Sequence, residues 1–304
     1  MVRALKICGN YIAESSNGTG EILLYINPNE SEKKQLVGEM KIDEHTLASA
    51  TDPNEQARIE FEPDHTAIII KRPKSYTSED NFFFRVLSIG LFKFSDRLVI
   101  VVAEDIPLFD GKQFQNVNSL LDVVLKMIYR SIIHFVEHLK VINMCSEELE
   151  HKVNRSMENR QLLNMFTLEK SLVYYLNAIS TNRRVIDRMK ANIMKMGFST
   201  DEQELLDDMA IENAQCYEQA QILSQVLSSL MDARASVVNN NLNLLMRTLT
   251  IIMIALMLPT LWTSLFSMNV PIPFQKEGWL FYMILLLGGM MVAFILAILK
   301  LRRW

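Results

Sequence analysis

Two uncharged apolar stretches near the C-terminal end constrain this chain more than any other feature. They are Leu249–Met268, LTIIMIALMLPTLWTSLFSM, and Trp279–Leu299, WLFYMILLLGGMMVAFILAIL. A helix of about 20 residues is roughly 30 Å long, the thickness of the hydrocarbon core of a bilayer. Two adjacent stretches of this length are hard to bury in a water-soluble core, so both are expected to span a membrane. Arg247 precedes the first span, and Lys300, Arg302 and Arg303 follow the second. The connection, Asn269–Gly278, carries only Lys276 and Glu277 as charges. Cationic flanks stay on the cytoplasmic side, which predicts cytoplasmic termini and a short external loop. Trp279 and Trp304 bracket the second span as interfacial anchors do.

The rest of the 304 residues read as soluble structure on the cytoplasmic side. The formal charge of −4 gives no reason to expect a nucleic-acid partner. Cys8, Cys145 and Cys216 are far apart and form no pair motif, which argues against a disulfide framework or a structural zinc site and fits a reducing compartment. The N-terminal MVRALKICGN has no apolar run long enough for a signal peptide. Residues 1–115 read as an α+β domain. Strands are expected at Ala4–Cys8, Glu21–Ile26, Arg58–Phe61, Thr66–Lys71, Phe82–Phe94 and Arg97–Ala103, with helices at Ser31–Glu39 and Asp43–Ala50. Residues 116–200 are rich in Leu, Met, Glu and Lys and almost free of Gly and Pro, which predicts two antiparallel helices, Val117–Glu158 and Arg160–Asn192. Gly197–Asp201 is a break with capping residues. From Asp201 no Gly or Pro occurs before Pro259, so 201–268 reads as one stalk helix of about 65 residues, roughly 100 Å, continuing through the first span. Residues 269–278 are the external loop, 279–299 the second span and 300–304 a basic cytoplasmic tail.

The stalk helix carries a polar stripe within its membrane part. Asn243, Thr250, Met257 and Ser264 are spaced by seven, as are Met246, Met253, Thr260 and Ser267. Together they are the a and d positions of a heptad, one narrow face. Leu249, Ile252, Leu256 and Leu261 lie on other faces. A lipid-facing helix gains nothing from such a stripe. Intramembrane polar groups face a bundle interior or a water-filled path, and Ser and Thr also gather where helices simply pack. Two spans per chain cannot enclose a pore, so a conducting form must be an oligomer with this helix repeated around an axis.

The segment Pro259–Asn269 resembles the end of the first transmembrane helix of the CorA family, which closes with Gly-Met-Asn; here the motif reads Ser267-Met268-Asn269. Asn239–Asn243 followed by Met246–Thr250 resembles that family's approach to the membrane, and the Trp-containing basic tail resembles its C-terminus. The order of parts matches as well. The resemblance covers nearly the whole chain, strongly over 235–304 and mostly as architecture before that. It implies a funnel-shaped homopentamer in the cytoplasmic membrane, with five copies of the first span lining the pore. It makes Ser267, Met268 and Asn269 the selectivity filter, with Asn269 meeting the hydrated cation. Thr260, Met257 and Asn243 match pore-facing positions, and Leu249 matches the narrow apolar gate, whereas the heptad puts Thr250 on the axis. Asp208 falls where that family's stalk contributes to a regulatory cation site. Ser267 in place of glycine, and a loop with Glu277 as its one acid, depart from the pattern and leave the choice of ion open.

Three functions fit these residues. One is a Mg2+ channel or transporter, and another is a relative of the same fold moving Zn2+, Co2+ or Ni2+. The third is a membrane-anchored helical scaffold or sensor that conducts nothing. None is an enzyme. No cofactor is expected, and Mg2+ enters as transported and as regulatory ion. The expected partners are further copies of the chain, the lipid bilayer and divalent cations. His134-Phe135-Val136-Glu137-His138 has the H-x-x-E-H form of one class of zinc peptidases, but it lies on an amphipathic helix with no recognisable third ligand and reads as plain helix surface. Asn17-Gly18-Thr19 and Asn154-Arg155-Ser156 fit the glycosylation pattern but fall on the expected cytoplasmic side. Gly288-Gly289 in the second span permits close helix packing.

Overall fold

The computed structural model describes residues 1–15, 19–155, 159–267 and 277–301. The chain divides into two compact units, Met1–Met231 and Asp232–Trp304.

The first unit is built on a seven-stranded sheet. Its strands are β1 (Val2–Cys8), β2 (Tyr11–Glu14), β3 (Ile22–Ile26), β4 (Arg58–Phe61), β5 (Thr66–Pro73), β6 (Val86–Lys93) and β7 (Leu98–Val102), in the order β2-β1-β3-β7-β6-β5-β4. β3 and β7 pair in parallel and the other neighbours are antiparallel. β7 reads LVIVV without a polar residue because it is central and buried on both faces. Val99 and Val101 face Leu36, Ile42 and Leu47, from helices α1 (Glu30–Gly38) and α2 (Glu44–Ser49) and the turn between them. Leu98, Ile100 and Val102 face the opposite layer, made by α3 (Leu120–Arg155) and α4 (Asn159–Ala191). The period of two along the strand thus serves two separate cores. Helix α2 lies so close to the sheet that a Cβ on Gly90 would sit 2.4 Å from the Ala50 Cβ, which is why β6 has no side chain there.

Five of the expected strands are found within about two residues of their expected bounds. The sixth begins late, because Asn81 and Phe82 take positive φ (47° and 66°) and turn the chain before Val86. Strand β2 was not expected: Tyr-Ile-Ala-Glu is short and pairs only with β1 at the sheet edge.

Strand β4 pairs with β5 only as far as Arg58 opposite Ile69, which leaves the next backbone groups of β5 without a strand partner. Asn182 on α4 takes their place. Its Oδ1 accepts from the Lys71 N–H at 2.8 Å and its Nδ2 donates to the Lys71 carbonyl at 2.8 Å. Both residues are buried, so this amide satisfies two groups that water cannot reach.

A short helix, α5 (Ile193–Met196), ends at Gly197, whose φ of +72° is the left-handed conformation that glycine adopts without strain. Helix α6 (Thr200–Phe266) then begins with a reciprocal cap. The Ser199 N–H donates to Glu202 Oε2 at 2.8 Å, and the Glu202 N–H donates to Ser199 Oγ at 3.3 Å. Leu206, Met209, Cys216, Ala220 and Leu227 of α6 are buried in the first unit, against the α3 and α4 layer. The second unit holds the remainder of α6 and α7 (Trp279–Leu301).

Candidate ion pathway

The C-terminal part of α6 is apolar enough to cross a membrane, and none of that stretch is buried. Helix α7 is a second, shorter apolar candidate over Trp279–Phe294. Ile251, Ala255, Pro259, Trp262 and Phe266 of α6 are half-buried. At about 100° per residue these five share one face. Leu280, Met283, Ile284, Leu287, Gly288, Met291 and Val292 of α7 are half-buried at the matching i, i+3, i+4 spacing, and Phe281, Tyr282, Leu285 and Leu286 point away. The indole Nε1–H of Trp262 donates to the Ile284 carbonyl at 3.3 Å. A Cβ on Gly288 would stand 3.9 Å from Trp262 Cδ1, an ordinary contact that places the glycine beside the indole, while Gly289 has nothing within 4 Å.

The heptad stripe lies on the other side of α6. Thr250, Met253, Met257, Thr260, Ser264 and Ser267 are all exposed. Their mean direction is about 180° from the face that meets α7. Asn243 and Met246 continue the stripe and are exposed too. Packing of α6 on α7 within one chain therefore does not account for the stripe. Leu249 is 55% exposed and lies about 60° off the stripe centre, on the flank opposite Thr250. A single chain brings none of these side chains together; they form a line, and only further copies can make it a ring.

The hydroxyls on this helix are oriented by the backbone. Thr250 Oγ1 donates to the Met246 carbonyl at 2.8 Å and Thr260 Oγ1 to the Leu256 carbonyl at 2.7 Å. Ser264 Oγ donates to the Leu261 carbonyl at 3.0 Å and Ser267 Oγ to the Ser264 carbonyl at 2.9 Å. Each proton is used on the preceding turn, so each oxygen is left as an acceptor on the exposed face. That arrangement suits cations and the hydrogens of their water shells and offers nothing to anions. Ser267 is not among the residues with positive φ. Its backbone N–H still donates to the Ser264 carbonyl at 3.2 Å, so it closes the helix as an ordinary helix-end residue. Met268 and Asn269, the other two expected filter residues, lie outside the described residues, as do most of the external loop and the end of the basic tail.

Asp208 is an exposed residue of α6 in the first unit, close enough with Glu212 to raise the Tyr129 hydroxyl, whose shift comes first from burial. Among the described residues no three acidic, His or Cys side chains converge to hold a metal. The H-x-x-E-H histidines are not helix surface: His138 is buried and His134 half-buried, beneath β5. Arg72 Nε–H donates to His134 Nδ1 at 3.3 Å, and His138 Nδ1 pairs with the Tyr175 hydroxyl at 2.7 Å. Burial, then the neighbouring His138, Arg72 and Arg130, push His134 down to about 3, and burial pushes His138 down to about 4. Glu137 points elsewhere, to Arg130 at 3.1 Å, so no peptidase constellation forms.

Sequence reasoning missed Trp262 as the clamp between the two apolar helices. Its signal was a tryptophan inside a span whose partner carries paired glycines.

The model of the CorA-like Mg2+ transporter protein family matches residues 22–303. The cobalt/magnesium transport protein CorA of Methanocaldococcus jannaschii is 24% identical over 281 residues, covering 88% of this chain and 86% of that protein. The complete structure of the CorA magnesium transporter from the same organism shares the fold with a TM-score of 0.77 at 20% identity, over 98% of this chain and 96% of that one. The full-length CmaX protein gives 0.72 at 14% identity, over 100% and 97%. A family model matched over nearly the whole chain carries the assignment: this chain belongs to the CorA-like Mg2+ transporter family of divalent-cation transporters.

Proposed function

We propose that the chain assembles as a homopentamer in the cytoplasmic membrane and passes Mg2+ along an axis lined by the α6 stripe. Both termini are cytoplasmic, and Asn269 forms a ring of amides at the external mouth. The observation that carries this reading is the position of the stripe, about 180° around α6 from the face that meets α7. Five copies around an axis would turn Thr250, Met257, Thr260 and Ser264 into stacked rings, and Asn243 into a ring at the cytoplasmic end.

The chemistry follows from the ion. Mg2+ gives up its waters reluctantly. Neutral acceptors, the Asn269 carbonyl oxygens and the back-bonded hydroxyls, can hydrogen-bond those waters without stripping them. The inward potential supplies about 2.3 kcal/mol per charge per 100 mV, or twice that for a divalent ion. Leu249 or Thr250 closes the cytoplasmic end of the path, and Asp208 contributes to a site, completed by a neighbouring subunit, through which internal Mg2+ holds the closed state.

A second reading keeps the fold and changes the cargo. Ser267 replaces the motif glycine, and the relative in M. jannaschii is named for cobalt as well as magnesium. Uptake into proteoliposomes, measured for Mg2+, Co2+, Ni2+ and Zn2+ and paired with native mass spectrometry, tests both. Five chains and Mg2+ uptake are expected. Uptake of another ion without Mg2+ selects the second reading, and a monomer with no uptake of any ion leaves a non-conducting scaffold.

A further inference from the structure

The first unit contains a cleft of about 310 Å3 between β5, β6, the segment after α2 and the outer side of α4. Small-molecule sites run from roughly 300 to 1,000 Å3, so it suits a ligand at the small end of that range. It is far in sequence from the α6 stripe and from Asp208, and the proposed ion path does not include it.

The wall of the cleft is held rigidly. Lys71 is buried, and its Nζ donates to the Pro53 carbonyl at 3.0 Å, to Ser88 Oγ at 2.6 Å and to the Asp52 carbonyl at 3.4 Å. Asn182 fixes the backbone of the same residue on both sides. Glu55 on this wall is already paired with Arg58 at 3.0 Å. Lys71 is therefore a positioning residue whose ammonium protons are fully engaged.

The opposite edge is aromatic and cationic. Phe83 and Tyr174 line it, with ring centroids 6.2 Å apart and planes at 69°. The Arg85 guanidinium lies 5.3 Å from the Phe83 centroid, and the Lys170 ammonium lies 5.7 Å from that centroid and 6.0 Å from that of Tyr174. Both cations are exposed, and Asp80 lies near enough to Arg85 for that guanidinium to help hold its carboxyl below the usual range, after the hydrogen bonds from Thr77. Two positive charges beside one ring repel each other, Asp80 offsets part of the charge on Arg85 alone, and an anion near both cations relieves the remainder. The exposed Asn177 amide adds neutral donors and an acceptor on the same rim.

We propose that this cleft binds a nucleoside phosphate, its planar base against Phe83 and Tyr174 and its phosphate between Arg85 and Lys170. Both halves of the ligand are needed. A bare phosphate leaves the aromatic edge unused, and a neutral ring leaves the remaining repulsion in place.

Full-length protein in detergent would be titrated calorimetrically with AMP, ADP and ATP, and with adenosine and inorganic phosphate as half-ligands. Saturable binding of at least one nucleotide is expected, with both half-ligands weaker. Replacing Arg85→Glu together with Lys170→Glu should weaken nucleotide binding by about tenfold or more, the loss of charge-assisted hydrogen bonds to phosphate. Arg97→Glu, away from the cleft, should leave it unchanged. Tyr174→Ala should weaken nucleotide and adenosine without affecting inorganic phosphate. Absence of saturable binding for all three nucleotides overturns the proposal, as does equal binding by the Arg85→Glu/Lys170→Glu protein. A cysteine placed at Asn177 that cross-links to a neighbouring chain, with no nucleotide bound, would instead mark this edge as a subunit contact.

Discussion

Trp262 on α6 donates its indole N–H to the main-chain carbonyl of Ile284 on α7, at 3.3 Å. A helix carbonyl normally accepts from within its own helix, so this bond is an additional one between the two apolar helices. It sets which side of α6 faces α7, and therefore which side is left for the polar stripe. Trp262→Phe keeps most of the ring and loses the bond, which should cost about 1 kcal/mol. Trp262→Ala should cost more, because the packing goes too. Gly288→Ala should be tolerated, since its Cβ would stand 3.9 Å from the indole, while Gly288→Leu should not. Thermal unfolding in detergent checks the order, and equal stability of Gly288→Leu and wild type would discount the clamp.

At the expected filter, Asn269→Ala should abolish selective divalent-ion uptake while Ser267→Gly preserves it. The Asn269 amide is the motif's one strong neutral side-chain acceptor, which is why it is the proposed filter group. Ser267 sits on ordinary helix-end backbone, so glycine relieves no strain there. Full selective uptake by an assembled Asn269→Ala protein would remove the filter assignment.

Topology is tested by placing a cysteine at Gln275 in a protein whose three native cysteines are replaced. An impermeant thiol reagent on intact cells should label Gln275→Cys and spare a cysteine at the C-terminus. The reverse pattern would invert the orientation.

Asp208→Ala should leave uptake intact and weaken its inhibition by internal Mg2+ by several-fold. Unchanged inhibition would return Asp208 to the role of a solvated charge on α6, where it stands exposed.

The buried histidines make stability depend on pH. His134 and His138 are held near 3 and 4 when folded, against 6.5 for a free side chain. Between those values the unfolded chain takes up protons that the folded chain refuses. Stability is therefore fully present above about pH 6.5 and falls as pH drops towards about 4, by up to roughly 1.4 kcal/mol per unit for each histidine. Arg72 enforces the neutral form of His134, since its N–H already donates to Nδ1. The unfolding midpoint should drop between about pH 7 and about pH 5, and drop less in a His134→Gln/His138→Gln protein. An identical pH slope in the two proteins would show that the pair is not the source.

What the sequence by itself determined is local and periodic. The run LVIVV declared a strand, and absence of Gly and Pro declared the long helices. Uncharged runs of membrane length declared the two apolar helices, because each signal lies within one element. The heptad stripe was legible in the same way, as a set of residues on one face. Its meaning was not, since a stripe could equally have faced the second span. Only the packing of Trp262 against Ile284 and Gly288 decides that, by occupying the other side of α6. The tertiary structure also decided against an exposed H-x-x-E-H surface. Burial beneath the sheet keeps His134 neutral, and the N–H that donates to its Nδ1 comes from Arg72, 62 residues away, which no spacing within the helix announces. Asn182 and Lys71 are 111 residues apart. A strand edge must satisfy its buried backbone groups, but which distant side chain does so is settled only when α4 lies down on the sheet.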